Sequence, residues 1–268
     1  MTLDNIFGNI SFSLRVIMKK LYLLIISILI FSTNFAVSDS NFTYSLPNNY
    51  KFKQNNYSNT VQNQQNDKEQ ILFIVDLSNS MNERLGRSTK IDVALSTMKE
   101  ILQLIPKNIP VGLRVYGHKT GFTPHQSCTA SELIAPITTN NTARVYSQLS
   151  RMNAVGWTPI TYSLKQAAYF DFKHAQGKKR IILLSDGGEN CDESPCDFVI
   201  ELLKYRDDIK IDVIAFAIGD RDANNQLKCV SLVTSGKFYN ANTAAELKDS
   251  LKDSLNLQKE VQGKIIQK

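Results

Sequence analysis

Three short segments carry oxygen-bearing side chains at spacings that could do chemistry together. Residues 76–80 read Asp-Leu-Ser-Asn-Ser. Side chains alternate along extended chain, so Asp76, Ser78 and Ser80 point the same way as the chain leaves a strand. Residues 185–188 read Ser-Asp-Gly-Gly and set a second carboxylate, Asp186, on a tight turn. Between them, residues 156–159 read Gly-Trp-Thr-Pro, a glycine loop that opens a helix. Pro159 suits the first helical turn, and Thr158 is expected at the cap position. Every one of these side chains offers oxygen, and none offers nitrogen or sulfur. Hard oxygen donors with few charges suit Mg²⁺ or Mn²⁺ in an octahedral site completed by water. Neutral hydroxyls leave the ion's double charge poorly compensated, so a bound ion would attract an outside carboxylate.

The elements that must position these groups are legible in the hydropathy pattern. Residues 71–75, Ile-Leu-Phe-Ile-Val, form a short continuous apolar run, the mark of a strand buried on both faces. Apolar residues then recur at helical spacing from Ile91 to Ile105, and Pro106 stops that helix. Further strands are expected at 111–116, within 132–136, at 180–184, at 211–218 and at 238–239. Helices are expected at 143–152, 160–172, 198–205, 226–234 and 244–255. Alternating strands and helices call for a Rossmann-like, doubly wound α/β fold. Its central sheet would be mainly parallel, with one short antiparallel edge strand and helices on both faces. In such folds ligands gather at the carboxyl ends of the strands, where Asp76 and Asp186 fall.

Asp-x-Ser-x-Ser after the first strand, Gly-x-Thr-Pro in a loop, and Ser-Asp-Gly after a later strand together resemble the metal-ion-dependent adhesion site of the von Willebrand factor A family. The resemblance covers residues 69–256. It implies that Ser78, Ser80 and Thr158 are direct hydroxyl ligands and that Asp76 and Asp186 act through bound water. It also implies that a Glu or Asp carboxylate of a protein partner completes the coordination. Trp157, His118 and Glu189 fall near the same face and are candidates for the rim of a partner site. Four cysteines, Cys128, Cys191, Cys196 and Cys229, flank it in sequence. Neighbouring loops favour Cys196–Cys229, leaving Cys128–Cys191, with a local Cys191–Cys196 bridge as the alternative.

Competing functions are less well supported. Ser96-Thr-Met-Lys99 matches the Ser-x-x-Lys of penicillin-binding enzymes, but it falls mid-helix and no Ser-Asp-Asn companion follows it. No Gly-x-Ser-x-Gly elbow or P-loop occurs, and His118, His125 and His174 lack zinc-hydrolase spacing. The expectation is therefore a binding protein and not an enzyme, with a metal-dependent hydrolase the weakest alternative. The net charge is +6 without a dense Lys/Arg run, which does not make a nucleic-acid footprint.

The N-terminus points to export. Met18-Lys-Lys is followed by a nearly unbroken apolar stretch over residues 21–32 and an Ala-Val-Ser end at residue 38. That is the layout of a secretory signal peptide, and residues 1–17 have the look of a mis-assigned start. Cleavage after Ser38 leaves a net charge of about +4 on the same counting. An uncleaved segment would instead tether the chain to a membrane. An even cysteine count in an exported chain fits two disulfides, whereas a structural zinc would want closer pairs. Residues 39–68 are rich in Asn and Gln and read as a flexible spacer, and residues 257–268 as a helical or disordered tail. The chain is thus expected in the periplasm or at the cell surface. It would act there as an adhesion or interaction domain or, alternatively, as an envelope assembly factor using the same site.

Overall fold

A computed structural model describes residues 69–257. The signal segment, the spacer and all of the tail after Leu257 lie outside the described residues. Eight strands occur among them: β1 (Gln70–Asp76), β2 (Arg84–Leu85), β3 (Ser88–Thr89), β4 (Val111–Tyr116), β5 (Ser131–Thr138), β6 (Lys179–Ser185), β7 (Ile209–Phe216) and β8 (Phe238–Ala241). Strands β2 and β3 make a separate small hairpin turned by Gly86. The other six form one sheet in the order β5-β4-β1-β6-β7-β8. All its pairings are parallel except β4 with β5.

The expected edge strand is therefore antiparallel, but it is not short: β5 runs for eight residues. Its burial is patchy because only one long side of an edge strand is paired, and its mixed polar and apolar sequence hid its length.

Each apolar run serves two cores at once. In β1, Ile71, Phe73 and Val75 face one side of the sheet, while Leu72 and Ile74 face the other. The first core is completed by α1 (Lys90–Leu104), α3 (Thr142–Leu149) and α7 (Ala244–Ser254) through Met98, Ile101, Val145, Leu149, Leu247 and Leu251. The second is completed by α4 (Ile160–Gln166), α5 (Pro195–Leu203) and α6 (Arg221–Val233) through Ile160, Leu164, Val199, Leu202, Leu227 and Val230. A strand buried on both faces has no room for a polar side chain until its end. This is why the first polar residue after the β1 run, Asp76, marks the rim of the sheet.

Local chemistry explains the helix starts. Helix α1 begins with a capping box: Thr89 accepts from the Asp92 N–H, and Asp92 reaches back to the Thr89 N–H. Ser194 and Asp220 cap α5 and α6, which start three and five residues before the apolar spacing alone suggests. Helix α4 ends early and continues as a π-helical segment, Ala167–Asp171. That segment carries Asp171 to the Arg114 guanidinium, where Nε and a terminal nitrogen donate at 2.7 and 2.8 Å to its two oxygens. The short helix α2 (Pro124–Cys128) lies in the loop between β4 and β5.

From β1 the chain winds outward to β4 and β5, then crosses back to β6 and winds outward the other way. The direction of winding reverses between β1 and β6. In an open α/β sheet, the crevice at the carboxyl ends of two such strands is where ligands bind.

Candidate metal centre

Asp76 ends β1 and ends up wholly buried. Its Oδ1 accepts the Ser78 N–H at 2.7 Å, which folds residues 76–78 into a tight turn. Its Oδ2 lies 2.7 Å from Ser185 Oγ and 3.0 Å from the Tyr116 hydroxyl, and those two hydroxyls are 2.9 Å apart. Tyr116 and Ser185 are the last residues of the two strands flanking β1, so three neighbouring strand ends hold one carboxylate. Burial, followed by the nearby Asp186 charge, raises Asp76 to about 6, against the pull of the Ser78 and Ser185 hydrogen bonds. Burial also pushes the Tyr116 phenol well above its ordinary value.

The hydroxyls continue from there. Ser78 Oγ and Ser80 Oγ are 2.9 Å apart, and Ser80 Oγ donates to Asp186 Oδ1 at 2.7 Å. The side-chain oxygens of Ser78, Ser80 and Asp186 therefore form one connected line across the reversal point, joined to Asp76 through the Ser78 N–H. Thr158 reaches it through backbone. Ser78 makes a parallel bridge with Gly156, and the Asn79 N–H donates to the Gly156 carbonyl at 3.0 Å. Two residues beyond the bridge on each side stand Ser80 and Thr158. The Asn190 side chain accepts the Thr158 N–H at 2.7 Å, tying the Thr158 loop to the loop that carries Asp186.

Close backbone approach makes this possible. Gly117 has φ +70°, and a Cβ there would meet Ser78 N and the Trp157 carbonyl oxygen, each at 2.6 Å. Its own carbonyl accepts the Gly156 N–H at 2.7 Å. A Cβ on Gly156 would meet the Lys119 carbonyl oxygen at 2.6 Å. The two glycines let the loops after β1 and β4 and the Thr158 loop stack backbone to backbone beneath the hydroxyls.

Three sequence expectations change. Thr158 is not the cap of α4: Pro159 takes that position and makes no side-chain cap bond. Glu189 is not a free rim carboxylate. Its oxygens accept the N–H of Thr161 at 2.7 Å and that of Cys191 at 3.0 Å, so it supplies the first turn of α4 with the acceptor that Thr158 does not. Burial raises its pKa, while those N–H donors oppose the shift. His118 turns inward, with its side chain 7% exposed and Nε2 3.2 Å from Glu132 Oε2. Trp157, by contrast, stays 40% exposed beside Thr158.

The most consequential residue that the sequence did not single out is Lys90. Its side chain is 8% exposed, and its Nζ lies 2.8 Å from Asp186 Oδ2 and 2.7 Å from Glu83 Oε2. Burial alone would lower its pKa, but the bonds to Asp186 and Glu83 outweigh that and raise it. A lysine at the start of an amphipathic helix ordinarily reads as solvated, and nothing in its neighbourhood in sequence signals otherwise. A cleft of about 470 Å³ opens beside Ser80 and Asp186, lined also by Lys90, Glu83, Gly188, Asp220 and Gln226.

The donor set suits a hard divalent cation, with oxygen throughout, three hydroxyls and two carboxylates. Among the described residues no group of three or more His, Cys, Asp or Glu side chains could hold a metal ion. A site built here must rely on hydroxyls.

Two disulfides brace the surroundings. Cys128 is bonded to Cys191, and Cys196 to Cys229. This is the pairing favoured by loop order, and the local Cys191–Cys196 bridge does not form. The first joins α2 to the loop bearing Glu189 and Asn190, and the second joins α5 to α6.

Comparison with known proteins agrees with this architecture. The Bacillus subtilis protein YwmD, itself uncharacterised, is 28% identical over 184 residues, covering 67% of this chain and 82% of its own. Proximal thread matrix protein 1 from the mussel byssus, solved with zinc in its MIDAS motif, superposes with a TM-score of 0.55 at 18% identity. That match covers 71% of this chain and 46% of the mussel protein. The pilus adhesin SpaC of Lactobacillus rhamnosus GG superposes with a TM-score of 0.58 at 14% identity, covering 73% of this chain and 31% of SpaC. The chain thus spans less than half the length of either solved structure. A sequence profile of the von Willebrand factor type A domain matches residues 70–253. The chain belongs to the von Willebrand factor type A domain family.

Proposed function

We propose that this domain binds a divalent cation, Mg²⁺ or Mn²⁺, at Asp76, Ser78, Ser80, Thr158 and Asp186, and through that cation holds a carboxylate of a partner protein. The observation that carries the reading is the hydrogen-bonded chain at the reversal point of the sheet, in which Asp76 holds the Ser78 N–H and the Ser78 hydroxyl leads through Ser80 to Asp186. A bound ion would be held directly by the hydroxyls, with the two carboxylates behind them, and would supply Lewis acidity towards an anionic ligand. Trp157, exposed next to Thr158, would add apolar contact at the rim. Membership of an adhesion and interaction family supports a binding role. The zinc in the mussel protein's MIDAS motif supports a metal at this place in the fold.

The setting we propose is outside the cytoplasm. Two disulfides support it, as does the apolar segment after Met18-Lys-Lys. Among the described residues no helix is long and apolar enough to cross a membrane. The partner would be captured from envelope or surface fractions by the immobilised protein in Mg²⁺ or Mn²⁺ and released by EDTA. Capture that is equally strong in EDTA would overturn the metal-dependent reading. Fractionation separates the two settings: surface exposure favours an adhesin, and soluble periplasmic recovery an assembly factor.

A further inference from the structure

The Lys90 ammonium bonds the side of Asp186 turned away from Ser80. Asp186 Oδ1 receives the Ser80 hydroxyl, and Oδ2 receives Lys90 Nζ at 2.8 Å. Asp186 is buried and Lys90 nearly so, so water screens this pair poorly. Lys90 also borders the cleft that adjoins Ser80 and Asp186. Its other partner, Glu83, is 64% exposed and shares the ammonium with Asp186, at 2.7 Å against 2.8 Å. The backbone reinforces that arrangement, because the Lys90 N–H donates to the Glu83 carbonyl at 3.0 Å.

We infer that Lys90 is a resident counter-cation of the metal centre. It competes with the divalent ion for the charge of Asp186, weakens metal binding, and keeps a bound ion short of negative charge so that it favours an anionic ligand. Glu83 acts as a positioning residue that moderates this competition by sharing the ammonium. The inference rests on the proposed metal-binding reading and deepens it. Two positive charges drawing on one buried carboxylate oppose each other, whereas a lysine that only held Asp186 in place would help the metal.

The opposite signs of those two roles define the test. Mn²⁺ is titrated calorimetrically into the wild type, Lys90→Met and Glu83→Gln. Lys90→Met is expected to tighten the Mn²⁺ Kd by about tenfold, roughly 1.4 kcal/mol. Without metal, the same variant should melt at a lower temperature, because Asp186 is left as an uncompensated buried charge, and Mn²⁺ should raise its Tm by more than it raises the wild type's. Glu83→Gln changes only an exposed carboxyl and leaves the buried pair in place, so it gives an answer even if Lys90→Met folds poorly. It is expected to weaken the Kd by about threefold, since the ammonium then bears on Asp186 alone. Weaker or unchanged Mn²⁺ binding in Lys90→Met would overturn the inference, as would unchanged or tighter binding in Glu83→Gln. Absence of Mn²⁺ binding by the wild type would overturn the underlying metal-binding reading as well, so the two failures are distinguishable.

Discussion

At the residue scale, the site centres on an expensive charge. Asp76 is wholly buried with Ser78, Ser185 and Tyr116 bonded to its carboxylate, and its carboxyl is raised from 3.8 to about 6. In the unfolded chain it would ionise near 3.8, so between about pH 4 and 6 the folded state holds the extra proton. Its contribution therefore favours folding at low pH and is lost as pH rises through about 6, by about 3 kcal/mol in all. A bound cation reverses this, because it requires the carboxylate and offsets its charge. Melting curves in EDTA should thus show the wild type losing stability relative to Asp76→Asn between pH 4 and 6.5. Mn²⁺ should stabilise the wild type strongly at pH 7.5 and hardly at all at pH 4.5, and an equal Mn²⁺ shift at both pH values would contradict the account. Asp76, Ser78, Ser80 and Asp186 were legible because each follows an apolar run whose end fixes where the polar chemistry must begin. Lys90 was not, since its partner Asp186 lies 96 residues away. His118 was misplaced for a related reason: its position after β4 can be read, but the direction of its side chain depends on Glu132 in the antiparallel neighbour.

At the element scale, the loop after β6 does more than carry Asp186. Residues 189–191 clamp the start of α4: Asn190 holds the Thr158 N–H, Glu189 holds the Thr161 N–H, and Cys191 is anchored to Cys128. Thr158 is thereby tied to the loop that carries Asp186 by groups outside the proposed ligand set. Supporting residues of this kind typically change metal affinity by about tenfold when removed. Asn190→Ala should weaken Mn²⁺ binding by that factor while leaving the metal-free Tm within a few degrees of the wild type. Calorimetry and melting together check this, and unchanged affinity would show that the clamp is dispensable. The glycine loop and the helix after it were legible from Gly156, Thr158 and Pro159. The cap was not, because its acceptor comes from a distant loop, and no local pattern reports a carboxylate arriving from 28 residues away.

At the scale of the whole molecule, the fold places every element of the proposed function at one end of the sheet. The winding reverses between β1 and β6, the two strands that deliver Asp76 and Asp186. That architecture was largely legible, because strands buried on both faces leave unbroken apolar runs and intervening helices keep their own period. The length of β5 and the π-helical segment of α4 were not, since both follow from contacts across the sheet: β5 from pairing along β4, and Asp171 from its bond to Arg114. The two disulfides add rigidity near the proposed site and suit an oxidising compartment. All of this turns on the cation. The most direct test is calorimetric titration of Mg²⁺ and Mn²⁺ into the wild type, Asp76→Ala and Asp186→Ala, with circular dichroism confirming that each remains folded. Saturable binding of one ion per wild-type chain is expected, with none by either folded variant; no binding by the wild type, or equal binding by all three, would overturn the metal-centre reading.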